Sequence, residues 1–174
     1  MNRAFRFAFY ACIMLSLAAF IACSDEETTA PPPEPGPEPA TGGTIGVYAD
    51  VNGTDNNIID TGGLVQVYVI HKTGGGSTAS QFKIIAPEGW TEIGAYHQFE
   101  LHIGTFYRGI AYAYGECLEG TLHLATVTYQ SPGNSNGAFF QVAPEDRWGL
   151  IRVVDCNETV YTDGQGLTSP VSTP

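Results

Sequence analysis

Short apolar runs alternate with clusters of Gly, Asn, Pro and Ser between residues 44 and 174, a spacing typical of strands joined by tight turns. No segment of this region has the 3.6-residue period of an amphipathic helix. We therefore predict an all-β fold, an immunoglobulin-like or jelly-roll β-sandwich of about nine to ten strands. The strands are expected near residues 45–49, 64–71, 81–86, 91–95, 99–103, 107–114, 121–129, 138–142, 150–155 and 160–162.

The strand predicted at residues 121–129 has an irregular apolar pattern. Leu122 and Leu124 have one parity along the chain, whereas Ala125 and Val127 have the other. Because the side chains of a strand alternate between its two faces, this change of phase predicts either a β-bulge or a strand that is buried on both sides.

Residues 1–22 have the composition of a secretory signal peptide. Arg3 and Arg6 lie near the start, and residues 7–22 contain no charged side chain. This apolar run is short for a membrane-spanning helix, which needs about 20 residues. It ends in Phe20-Ile21-Ala22-Cys23, which resembles the lipobox of bacterial lipoproteins. The resemblance implies cleavage before Cys23 and acylation of that residue; an ordinary secreted protein with an incidental Cys23 is the alternative.

Residues 23–43 are predicted to form a disordered, acidic, Pro-rich tether. Six prolines lie between residues 31 and 39, and no large apolar side chain is available to build a core. An extended tether of this kind reaches roughly 60 Å. The domain organisation expected is therefore a signal peptide at 1–22, the tether at 23–43 and the β-sandwich at 44–174.

The start of the tether bears on the cellular location. Ser24-Asp25-Glu26-Glu27 resembles the serine-plus-acidic export signal of Bacteroidota-type lipoproteins, although a solvated start to a linker explains the same residues. We expect a chain held at the bacterial outer membrane through a lipid anchor and exposed at the cell surface. Burial of acyl chains, at about 0.8 kcal/mol per CH₂, makes such an anchor effectively permanent when several chains are present.

The four cysteines are consistent with an oxidising compartment. Cys12 lies in the signal peptide and Cys23 is the expected lipidation site, so Cys117 and Cys156 are left as a pair. In a secreted domain they should form a disulfide. It would close about 40 residues and contribute roughly 4 kcal/mol in the chain-entropy model. A two-thiolate metal site is the alternative, but it lacks further cysteine ligands.

Composition narrows the range of functions. The sequence has 7 Lys and Arg against 18 Asp and Glu, a net charge of −11. This charge repels phosphate backbones, so no nucleic-acid partner is expected. The serines, Ser135 among them, lie in Gly-rich or Asn-rich loops without the strand-to-helix elbow that a nucleophilic serine needs, and no pair of carboxylates has a spacing that fixes the geometry of a glycosidase. We therefore expect no enzymatic activity.

Three segments carry a family resemblance. They are LVQVYV at 64–69, ASQFKI at 79–84 and GTLHLATVTY at 120–129. This succession resembles cohesins and related carbohydrate-binding-domain-like sandwiches, and it implies a sandwich of about this size. Cohesins follow the second segment with a turn like Tyr-Asp-Pro, whereas this chain has APEG at 86–89. The resemblance therefore does not extend to dockerin recognition, and it assigns no binding residue.

The loop at residues 50–57 is the candidate metal site. Asp50, Asn52 and Asp55 supply oxygen ligands of the kind that Ca²⁺ prefers, and the loop begins like that of a dockerin or EF-hand. Thr54 and Asp55 interrupt the EF-hand register. A polar hairpin turn built on Asp and Asn chemistry explains the same residues. No other cofactor is expected.

The remaining candidates are aromatic. Trp90 and Trp148 could stack on sugar rings if they project from a sheet face, although sandwich cores use aromatic residues in any case. The function predicted is a surface lipoprotein that presents a non-catalytic sandwich for adhesion, structural or protein assembly contacts. A carbohydrate-binding module is the alternative. Unprotected edge strands would also allow self-association or strand addition by a partner.

Overall fold

The computed structural model describes residues 42–162 and 164–174. The predicted signal peptide at 1–22, the lipidation site Cys23 and the tether up to residue 41 lie outside the described residues. Gly42 and Gly43, assigned to the tether from the sequence, are buried against the sandwich. The Nε2 of buried His71 donates a hydrogen bond to the Gly42 carbonyl at 2.9 Å.

The described residues form thirteen strands and no helix, which confirms the predicted all-β class. Among them no helix is long and apolar enough to cross a membrane. Three strands, β2, β12 and β13, have no counterpart in the sequence prediction. The strands are β1 (Thr44–Tyr48), β2 (Ile58–Ile59), β3 (Gly63–Lys72), β4 (Ser77–Ile85), β5 (Thr91–His97), β6 (His102–Thr105), β7 (Gly109–Leu118), β8 (Thr121–Ser131), β9 (Phe139–Ala143), β10 (Arg152–Val154), β11 (Val160–Tyr161), β12 (Gln165–Gly166) and β13 (Thr168–Ser172).

The first sheet has the order β12-β1-β3-β8-β5. Its longest ladder joins β3 and β8, and the irregular pattern predicted in β8 is a β-bulge. Val69 pairs with Ala125, but the next residue of β3, Ile70, pairs with His123. Leu124 is therefore the extra residue, and this allows both Leu124 and Ala125 to be fully buried.

The second sheet is organised around β4. One edge of β4 pairs with β7, which in turn pairs with β6. The other edge is divided: residues 79–81 pair with β10, and residues 83–85 pair with β9. Beyond β10 lies β11, while β13 and then β2 follow β9.

Alternation along the strands places the core between the two sheets. In β4 the side chains of Phe82 and Ile84 point inward and are almost completely buried, as are those of Ile110 and Tyr112 in β7. Each burial of an apolar side chain of this size contributes about 1.5–3 kcal/mol. The first sheet contributes the facing residues Val47, Val67, Val69, Leu124, Ala125 and Val127.

The predicted disulfide between Cys117 and Cys156 is present. Cys117 lies near the end of β7, and Cys156 lies just beyond β10, so the bond joins the two strands that flank the start of β4. Gly76 lies directly beneath it with φ of +92°, and a Cβ at this position would stand 2.6 Å from the Cys156 Sγ. The disulfide therefore requires glycine at this position.

A buried carboxylate, that of Asp60, links segments that are distant in the chain. Asp60 is 1% exposed and directly follows β2. Its Oδ1 accepts hydrogen bonds from the Ser131 hydroxyl and the Gly133 N–H, and its Oδ2 accepts one from the Ser135 N–H. Burial alone would raise the pKa of Asp60. Hydrogen bonds, led by those of Ser131 and Ser135, outweigh that effect and lower the pKa from 3.8 to about 2.

Removal of the disulfide should lower stability without changing the fold. For the double variant Cys117→Ser with Cys156→Ser we expect a loss of about 4 kcal/mol in the free energy of unfolding, because the open loop regains entropy in the unfolded chain. Urea unfolding measures this loss, and the unmutated chain under reducing conditions is the matched control. Alkylation of both Cys117 and Cys156 in the folded, oxidised chain would contradict the bond.

Replacement of Asp60 should be costly. Asp60→Ala leaves the buried donors of Ser131 and Ser135 and two partly buried N–H groups without their acceptor, and we expect a loss of about 3 kcal/mol or more. The exposed Asp55 accepts one backbone bond, so Asp55→Ala is a control that should lose less than about 1 kcal/mol.

The same substitution tests the pH dependence of stability. Because the pKa of Asp60 is depressed in the folded state, its contribution is complete above the ordinary value of 3.8 and is lost as the pH falls toward about 2. Urea midpoints measured across this range should fall more steeply for the wild type than for Asp60→Ala. Parallel pH profiles would contradict the assignment.

Candidate functional site

The outward-facing side of β6, β7, β4 and β10 is a flat surface of mostly small and apolar residues. Residues that are directly opposite in a sheet share a face, and the register gives two rows across these strands. One row is Ile103, Ala111, Gln81 and Arg152. The adjacent row is Ala113, Ala79, Val154 and, on β11, Val160. We call these eight residues the outer face.

A shallow depression lies in the outer face. Its volume is about 220 Å³, and residues from both rows line it, among them Ala79, Ala111, Arg152 and Val160. Ile103 is 74% exposed at one side, and Val160 is 55% exposed at the other. Small side chains in the centre and larger apolar ones at the margins leave room for side chains of another molecule.

Charged and aromatic residues border the outer face near β10. Lys83 forms an ion pair with Asp146 at 2.6 Å. Trp148 is 50% exposed, and the guanidinium carbons of Arg147 and Arg152 lie 4.8 and 4.6 Å from the centre of its ring. Trp148 was a candidate from the sequence, whereas Arg147 and Arg152 were not. The spacing Arg147-Trp148 followed by Arg152 was the available signal.

Trp90 does not occupy the position that carbohydrate stacking requires. Its side chain is 8% exposed, and its ring packs edge-on against Phe140 at 5.1 Å. The indole N–H donates a hydrogen bond to the Ser135 hydroxyl at 2.7 Å. The interpretation of Trp90 as an exposed stacking ring is therefore wrong, because β8 and β9 enclose the ring in the core. Trp148 alone of the two is exposed.

The predicted calcium loop is held together as a turn. The Asp50 carboxylate accepts hydrogen bonds from the backbone N–H groups of Asn52, Thr54 and Asp55. The bond from Asp55 is the largest cause of the lowered pKa of Asp50. At Gly53, an added Cβ would stand 3.1 Å from the Ile70 side chain, so the loop covers the outer side of β3.

This arrangement agrees with the hairpin-turn alternative for the loop. The oxygen atoms of Asp50 are engaged with the backbone, and Asp55 accepts the Asn57 N–H at 2.8 Å. Across residues 42–162 and 164–174, no group of three His, Cys, Asp or Glu side chains comes together in a way that could hold a metal ion.

A second depression, of about 260 Å³, opens beside β4 and β5. Among the described residues, Glu92 is the one carboxylate that lines it, beside the rings of Trp90, Tyr107 and Tyr129, and partial burial raises the pKa of Glu92. No histidine, cysteine or lysine of the described ranges lines this depression. The arrangement provides an acceptor for a proton or hydrogen bond but no pair of groups for nucleophilic chemistry.

Comparison with known proteins agrees with the architecture. No family model and no curated protein matches the sequence. A cohesin from a type I cohesin–dockerin complex of Clostridium thermocellum shares 13% identity, over 75% of this chain and 99% of its own, with a TM-score of 0.51. A non-cellulosomal cohesin from Archaeoglobus fulgidus shares 13% identity over 75% and 84% of the two chains, with a TM-score of 0.46. A cohesin module from a Clostridium perfringens family 33 glycoside hydrolase shares 8% over 77% and 99%, with a TM-score of 0.45. The fold of the described residues is therefore that of a cohesin-like β-sandwich.

Proposed function

We propose that this chain is a non-catalytic assembly module that binds a protein partner through the outer face of its second sheet, while a lipid at Cys23 anchors it to the outer membrane. The single observation that carries the proposal is the outer face itself. It combines a broad area of small side chains with exposed apolar residues at its margins, and an exposed Trp with two Arg beside it lies at its border. Trp and Arg side chains are enriched at protein interfaces.

The fold supports a protein partner over a small substrate. The solved cohesin of Clostridium thermocellum is in complex with a dockerin, so a sandwich of this shape can bind another protein. The two depressions described above are open to solvent, whereas small-molecule sites usually enclose most of the ligand. A flat sheet face suits a protein surface better than a metabolite.

The proposed lipid anchor rests on the residues that precede the sandwich domain. The charge-free run at 7–22, the lipobox-like Phe20-Ile21-Ala22-Cys23 and the acidic start of the tether are the features that support lipidation at the outer membrane. An extended tether would hold the sandwich clear of the lipid headgroups. We also propose that the sandwich is exposed at the cell surface, where a partner could reach the outer face.

A carbohydrate-binding module is the second candidate. The observation in its favour is Trp148, which is half-exposed at the border of the outer face beside polar groups. Aromatic rings of this kind stack on sugars. The two guanidinium groups that already lie over the ring compete with such stacking, so we rank the protein partner first.

Self-association through strand edges is compatible with the same proposal. β6 pairs only with β7, and β5 pairs only with β8, so each has an edge without a partner among the described strands. Ile103 on β6 and Ile93 on β5 are both exposed. A second copy or an extended segment of a partner could add to either edge.

Docking is tested by blocking the outer face. A photo-reactive residue at Ile103, introduced into the full chain in intact cells, should give a discrete protein adduct. Ala111→Trp places a bulky, uncharged side chain in the middle of the face and should abolish that adduct. Asn56→Trp, which adds the same bulk on an exposed loop, should leave it unchanged. An adduct that resists proteases would support the carbohydrate alternative, and an adduct that persists in Ala111→Trp would contradict docking at this face.

Anchoring is tested separately at Cys23. We expect the chain to incorporate an alkyne-labelled fatty acid and to sediment with membranes, and we expect Cys23→Ala to lose both properties, because an acyl chain supplies the membrane affinity. Cys12→Ala is the control and should retain both. A wild-type chain in the culture supernatant without acyl mass would contradict the anchor.

A further inference from the structure

The loop between β9 and β10 holds Trp148 and its arginines in a fixed arrangement. The buried Glu145 carboxylate accepts hydrogen bonds from the backbone N–H groups of Arg147 and Trp148, and the Glu145 carbonyl accepts the Gly149 N–H. At Gly109 a Cβ would stand 2.6 Å from the Cβ of Glu145, so the loop packs tightly against the start of β7. The side chains after Glu145 are therefore presented by a constrained backbone.

The two guanidinium groups are positioned but not neutralised. Each lies within 5 Å of the centre of the Trp148 ring, a distance at which cation–π attraction restricts the side chain. In the described part of the chain the one ion pair is Lys83 with Asp146, so neither Arg147 nor Arg152 has a carboxylate within ion-pair distance there. The nearest buried carboxylate, Glu145, is already satisfied by backbone donors.

This positive charge is concentrated in a strongly acidic chain. The basic residues beyond residue 43 are Lys72, Lys83, Arg108, Arg147 and Arg152. Lys72 lies over the Tyr48 ring on the first sheet. Arg147 and Arg152 lie at the β9–β10 loop, and Lys83 pairs with Asp146 of the same loop. The Arg108 carbonyl accepts the Asp146 N–H, but its guanidinium lies over the Tyr107 ring. Charge complementarity at this site therefore favours an anionic ligand.

We propose that Arg147 and Arg152, held on the Trp148 ring, bind a carboxylate of an acidic peptide segment in the protein partner. This proposal rests on the docking function assigned to the outer face. Arg152 belongs to both sites, because it stands in the same row as Gln81 and Ala111. A segment with an Asp or Glu beside an apolar residue would place the carboxylate on the guanidinium groups and the apolar residue over the small side chains. Guanidinium–carboxylate pairing is strong and directional.

The net negative charge of the chain should confine an acidic peptide to this site. A chain with a net charge of −11 repels an acidic peptide over most of its surface, so attraction requires this local group of arginines. Prepositioned guanidinium groups also lose less rotamer freedom on binding than free ones do.

The test uses the full-length chain in detergent and a fluorescein-labelled peptide of Glu and Leu residues, with a Gln and Leu peptide as the neutral probe. We expect saturable anisotropy for the acidic peptide alone. Arg152→Gln and Arg147→Gln should each weaken it about tenfold. Lys72→Gln is the matched control, since it also removes one charge and one cation–π contact, and it should have no effect. Salt should weaken binding.

Three results would overturn the proposal: no binding of the acidic peptide, equal binding to the Gln peptide, or equal effects of Arg152→Gln and Lys72→Gln. Polygalacturonate that binds in an Arg152-dependent way while the peptide does not would assign the site to an acidic polysaccharide. The photo-crosslinking experiment separates failure of acidic-peptide recognition from failure of docking at the outer face. An adduct that is lost in Ala111→Trp but kept in Arg152→Gln would retain docking and reject acidic recognition.

Discussion

The continuity of the outer face depends on the hydrogen bonding of β4. This strand pairs with β7 along one edge, and it divides its other edge between β10 and β9. The division allows residues from four strands to lie in rows across β4, which places Arg152 opposite Gln81 and Gln81 opposite Ala111. Slippage of β4 by one residue would exchange its buried and exposed side chains. The core residues Phe82 and Ile84 therefore fix the same register that assembles the candidate site.

The disulfide also helps to hold this arrangement of strands, at the edge where the strands are shortest. β10 and β11 are three and two residues long, so their hydrogen bonds alone hold the edge of the face loosely. The bond from Cys117 to Cys156 ties the end of β10 to β7 across the start of β4. The Thr78 hydroxyl adds a hydrogen bond to the Asp155 carbonyl at 3.2 Å. Both interactions keep Arg152 and Val154 in line with the longer strands.

The sequence predicted the long strands because burial on one side imposes an alternating pattern, as in β4 and β7. It did not predict β2 and β12, because two residues are too few to show a period, or β13, which contains Pro170. It also could not separate the two tryptophans, since both follow turn residues. Trp90 is buried because β8 and β9 close over it, whereas the loop after Glu145 turns Trp148 outward. Likewise, Asp50 and Asp60 have similar surroundings in sequence, but only Asp60 faces donors from a distant strand.

In the proposed anchored arrangement, tethering would relax the affinity that the outer face must provide. The proposed pairing of one or two carboxylates with the guanidinium groups, together with contact on small side chains, would give a modest and salt-sensitive interaction. If the partner is held at the same surface, the tether confines both to a small volume, and the effective concentration replaces part of the missing affinity. A flat face without a deep pocket is then sufficient for assembly, and it permits exchange of partners.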